Sequence, residues 1–66
     1  MKYFLTFGQD HPLRNGWIEI ETWAYGIART LAFQFFGKHW AHVYKEEDFE
    51  KGLYPSGKIG EILRGE

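Results

Sequence analysis

The stretch WIEIETWAYGIARTLAFQFFG, residues 17–37, changes its hydrophobic period once, and that change decides the fold. Over Trp17 to Glu21 the pattern alternates. Ile18 and Ile20 point one way; Trp17, Glu19 and Glu21 point the other, as in a half-buried strand. From Ala24 onward the spacing becomes helical. Ala24, Ile27, Ala28, Leu31 and Phe35 recur at i, i+3, i+4 and i+7 and form a core stripe. Thr22 is placed to cap this helix, and Gly37 to end it. Gly26 costs about 1 kcal/mol relative to alanine inside a helix, so a close helix–strand approach is expected there. Tyr25, Ala32, Phe33 and Phe36 widen the apolar band beyond a single stripe.

N-terminal to this stretch, Lys2 to Phe7 reads as a strand, with Tyr3, Leu5 and Phe7 on one face and Phe4 and Thr6 on the other. Gly8 to Gly16 is a polar hairpin loop in which Pro12 fixes one φ and Asn15-Gly16 supplies a turn. C-terminal to it, His39 to Tyr44 reads as a third strand. Ala41 and Val43 face the helix, and Trp40, His42 and Tyr44 face away. Lys45 to Lys51 is a charged stretch in which Phe49 anchors one helical turn. The remainder carries Pro55, Ser56 and several glycines and reads as loop, with Leu53, Tyr54, Ile59, Ile62 and Leu63 available to dock and Ile59 to Leu63 forming a short strand or turn.

A short loop makes strands 1 and 2 neighbours, and a right-handed crossover carries the helix back over the sheet. The expected fold is α+β. A β-β-α-β core over residues 1–44 has a three-stranded antiparallel/mixed sheet of order 2-1-3 packed on one helix. An irregular C-terminal segment, 45–66, adds a charged turn and a docking tail to a single small domain, 1–66. Leu5, Ile18, Ile20, Ala41 and Val43 would meet the helix, with Tyr3 and Phe7 at the ends. Phe4, Thr6, Trp17, Glu19, Trp40, His42 and Tyr44 would form the far face.

A chain of 66 residues buries only about 60% of the surface it exposes unfolded. It has no cysteine, so neither disulfides nor thiolate-bound metal can reinforce it. Aromatics make up 20% of the chain, and each large ring buries roughly 150–250 Å². One helix on three strands cannot hide that much ring area. The tail is expected to cover one apolar surface, and a second copy or another protein to take the other. The formal net charge of −1 disfavours non-specific nucleic-acid and membrane binding. No apolar run approaches the roughly 18 residues of a membrane span, and the apolar N-terminal stretch is too short for a secretory signal.

Catalytic and metal chemistry find little footing. His39 and His42 are three apart on an expected strand and point to opposite faces, so they would not share one ion. The only serine, Ser56, has no base nearby in sequence. The Glu19/Glu21 pair reads as a solvated face, and a minor enzymatic role with His11 or His42 as base ranks last. No catalytic residue, metal or cofactor is therefore assigned. The loop offers His11 and Arg14 for an anion, with Trp17 positioned to stack on a base. That makes a small-ligand or nucleotide site over residues 8–17 the alternative reading. Base stacking of single-stranded nucleic acid on the far face is opposed by Glu19 and Glu21. Protein binding fits best, because interface cores are enriched in tryptophan, tyrosine, phenylalanine and arginine.

Thr6-Phe7-Gly8, His11-Pro12, Gly16, Ile18, Ala28-Arg29, Phe36-Gly37, Trp40-Ala41 and Tyr44 form a spaced pattern, TFG…H…G…AR…FG…WA…Y, across roughly residues 3–44. This pattern resembles a group of small phage and prophage proteins of unknown function. The resemblance implies a phage-encoded accessory protein in the host cytoplasm that modulates a host factor; with the ring-rich surfaces, the expected function is a non-enzymatic module that occupies the surface of a host or phage protein, with a homodimer as a further option. The binding positions expected from the residues and the resemblance together are Phe4, His11, Arg14, Trp17, Arg29, Trp40, His42 and Tyr44.

Overall fold

The computed structural model describes residues 1–63. The last residues of the expected 45–66 tail lie outside the described residues. The elements are strands β1 (Lys2–Thr6), β2 (Gly16–Glu21), β3 (His42–Lys45) and β4 (Gly57–Leu63) and one helix, α1 (Tyr25–Phe36), between β2 and β3 in the chain. The strands form a single mixed sheet of order β3-β1-β2-β4. The first three strands keep the expected order. The correction is the fourth: β4 pairs parallel with β2 at the sheet's edge, so the sheet has four strands and not three. Its glycines disguise it in the sequence and serve the pairing in the fold. A Cβ on Gly60 would lie 3.0 Å from Ile18 Cδ1, and one on Gly16 would lie 2.8 Å from Ile59 Cγ2. Bare backbone at these points lets β2 and β4 close on one another around the register shift at Trp17/Ile18.

The helix covers one face, mainly over β1 and β3. Leu5, Ile18, Ile20 and Val43 meet it there as expected, joined by Tyr3, Phe7, Ala28, Leu31 and Ala32. Tyr25 packs edge-on against Tyr3 at 5.9 Å, and Phe36 against Phe7 at 5.6 Å. Four local expectations change. Thr22 is buried at the end of β2, its N–H donating to the Met1 carbonyl, and Ala24 occupies the cap position without a side-chain bond. Ala24, Ile27 and Phe35 are exposed, so the buried stripe is Ala28, Leu31 and Ala32. Gly26 faces open space, with nothing within 4 Å of a Cβ placed there, and no close strand approach explains it. Ala41 and Trp40 precede β3 and do not belong to it. Gly37 does end the helix, at φ 59 with its N–H donating to the Phe33 carbonyl.

The opposite face of the sheet is also covered. Between β3 and β4 the chain makes two short 3₁₀ turns, Glu46–Asp48 and Lys51–Leu53. Phe49, next to the first, stacks on Phe4 at 4.7 Å and 12° and meets Trp17 edge-on at 5.3 Å. Tyr54 stacks on Phe49 at 5.2 Å. Parallel connections within one sheet are overwhelmingly right-handed. The connection from β2 to β3 and that from β3 to β4 run in opposite directions across the sheet. A common hand therefore sends them over opposite faces, which is where the helix and the Phe49 segment lie. The anchoring expected of Phe49 is present, and the tail's docked part is the 46–54 connection.

Replacing Phe49 with alanine uncovers Phe4 and Trp17 and is expected to lower unfolding free energy by about 2–4 kcal/mol in urea titrations. Gly26→Ala fills open space in the first turn of α1 and is expected to raise it by about 0.4–1 kcal/mol.

Candidate binding surface

Seven of the eight expected binding residues separate into two groups, and Arg14 stands apart, exposed in the loop. Phe4, Trp17 and Tyr44 belong to the sealed ring cluster. Phe4 is 1% exposed and Trp17 8%. Trp17 is bounded by Phe4, Phe49 and Tyr54, at 6.4, 5.3 and 6.3 Å, which leaves no open ring face for a base. Tyr44 is half-buried beside Phe49 at 5.5 Å. Burial pushes the Tyr54 hydroxyl above the ordinary tyrosine value of 10.0; the neighbouring Tyr44 adds to the rise, and a hydrogen bond with Thr6 opposes it.

His11, Arg29, Trp40 and His42 lie around the corner where α1 ends and β3 begins. After Gly37 the chain turns, with the His39 N–H donating to the Phe36 carbonyl, and enters the sheet as the Ala41 N–H donates to the Thr6 carbonyl at 2.8 Å. This turn carries Trp40 to the helix side, a correction to its expected place on the far face. Its indole N–H donates to the Gly37 carbonyl at 3.1 Å. Phe33 meets it edge-on at 5.1 Å, and the Arg29 guanidinium sits 5.5 Å from its ring centroid. Arg29 therefore packs on a ring. His42 is exposed at the start of β3, its ring 4.4 Å from that of Tyr44.

His11 organises its own loop. Its N–H donates to the Gly8 carbonyl, its Nδ1 accepts the Leu13 N–H at 3.0 Å, and its ring stacks on Phe7 at 4.6 Å. Arg14 is exposed and reaches back toward the His11 carbonyl at 3.4 Å. Among the described residues no group of three or more histidine, aspartate or glutamate side chains is placed to hold a metal ion. No described helix is long and apolar enough to cross a membrane.

Large apolar side chains stay open to solvent at several places: Met1, Leu13, Leu53 and, on β4, Ile59 and Leu63 are exposed singly, while three more lie on α1 and one just before it. Trp23 is 67% exposed, Ile27 43%, Phe33 52% and Phe35 55%. Ile27 and Phe35 flank buried Leu31 at i−4 and i+4, so they share one flank of α1. Phe33 lies on the other flank, with Trp40. Phe33, one of the residues that widen the apolar band of α1, and Lys38, just past the helix end, join the expected binding residues here. The signal was present in the run Phe36-Gly37-Lys38-His39-Trp40, which follows the helix stop directly. Comparison with protein-family models, with curated proteins and with solved structures finds no significant match.

The raised Tyr54 pKa has a defined sign. The native state keeps this proton to higher pH than the unfolded chain, so the unfolded chain is favoured once its own tyrosine ionises. Stability is expected to fall as pH rises past the ordinary tyrosine value of about 10, and Tyr54→Phe should flatten that fall in urea titrations above it.

Proposed function

We propose that this chain is a non-enzymatic protein-binding module that docks through the outer face of α1 and the adjoining Lys38–His42 corner. The observation that carries this reading is that one helix keeps three large apolar side chains bare, Ile27, Phe33 and Phe35, with Trp23 also bare just before it. A chain this small gains from every ring it can bury, and bare rings in number mark a surface kept for a partner. Trp40, Phe33 and Arg29 are of the residue types that dominate binding energy at interfaces. That the partner is a host or phage protein met in the host cytoplasm follows from the phage-like sequence pattern.

The alternative small-ligand site in the 8–17 loop has weaker support. His11 spends its Nδ1 and its backbone groups on the loop's own turns, and Trp17 lies beneath Phe49 and Tyr54.

The test is the double variant Ile27→Ser/Phe35→Ser. Both side chains are exposed, so the thermal midpoint should stay within a few degrees of wild type. Capture of a discrete partner from lysate of the expressing cell should drop about tenfold or more. Partner capture that survives these changes and Phe33→Ser as well would remove the reading. Light scattering should show a monomer; a dimer lost in the same variants would reassign the face to a second copy.

A further inference from the structure

We infer that the partner presents acidic side chains beside an apolar anchor, and that Arg29 and Lys38 receive them; this rests on the protein-binding reading above. Two shallow concavities meet at Trp40. One, of about 260 Å³, is lined by Arg29, Phe33, Lys38, Trp40, Ala41 and His42. The other, of about 360 Å³, shares Lys38 and Trp40, adds His11 and His39, and holds Asp10 as its one carboxylate.

This distribution is uneven for the chain. Asp and Glu number nine against eight Lys and Arg, so an unbiased surface would set acids here as often as bases. The ion pairs among the described residues join Lys58 to Glu19 and Glu61. Arg29 and Lys38, like Lys2, Arg14, Lys45 and Lys51, have no carboxylate partner among those residues; what sets these two apart is that they line one concavity together with no acid in it. The Arg29 guanidinium is already held over Trp40. A guanidinium fixed on a ring loses less freedom when it binds, and its N–H fork suits a carboxylate.

Charge also selects among occupants. A second copy docked about a two-fold axis through this corner would set Arg29 and Lys38 against their own images. A nucleic-acid backbone would find two full cations and an apolar flank, where phosphate-driven binding needs a longer basic track. A protein segment with carboxylates around a leucine or an aromatic residue uses both the cations and the bare rings.

Selection of displayed random dodecapeptides on the immobilised full chain tests this. The selected pool should be enriched in aspartate and glutamate beside large apolar residues. A synthetic peptide from that pool should bind more weakly as salt rises. Arg29→Glu/Lys38→Glu, checked for a wild-type thermal midpoint, should weaken it about tenfold or more, and lysine in place of the peptide's acids should restore binding to that variant. A pool that is apolar without acidic enrichment, or binding unchanged in the variant, overturns this inference and leaves the protein-binding reading standing. A selection that yields no binder overturns both. A single-stranded oligodeoxynucleotide that binds more tightly than the peptides, and is lost in the variant, overturns it in favour of phosphate recognition.

Discussion

Phe49 lying flat on Phe4, 4.7 Å from it, is the contact on which the rest of the architecture depends. A four-stranded sheet has two faces to cover, and this chain has one helix. The second face is closed by a connection with almost no regular structure, held by rings. Phe4, Trp17, Tyr44, Phe49 and Tyr54 form a second core whose pairwise ring contacts each add roughly 0.5–1.5 kcal/mol beyond area burial. With little area in the main core, such rings are an economical way to stabilise a domain that has no disulfide and no cysteine-held metal.

This closure also determines which surface is left over. An aromatic sheet face alone would have been the obvious docking site. Once Phe49 and Tyr54 lie on it, three large apolar side chains of one element, Ile27, Phe33 and Phe35 of α1, are left bare. The helix sits over β1 and β3, while the sheet extends past it to β4. Ile27 and Phe35 therefore line a helix flank with no second helix beside it. On the opposite flank, the turn after Gly37 folds Trp40 back against Phe33 and Arg29. The result is a surface with apolar residues on one side and, on the other, cations that have no carboxylate partner among the described residues, two features that a single partner can satisfy together.

The sequence by itself determined the α+β class, the hairpin, the helix stop at Gly37 and the identity of the inward strand residues, because each follows from a local period or a local backbone preference. Leu5, Ile18, Ile20 and Val43 could be assigned from alternation alone. β4 was only half legible, since Gly57 and Gly60 weaken any strand signal; Gly57 takes a positive φ of 70, and Gly60 is needed only once Ile18 of β2 lies against it. The tertiary structure alone decided which ring goes where. Trp17 and Trp40 both read as far-face rings, yet one is sealed under Phe49 and the other crosses to the helix side. Their fates depend on the path of two crossovers and on a turn that delays the start of β3. These are long-range constraints of chain connectivity and handedness, and no window of neighbouring residues encodes them.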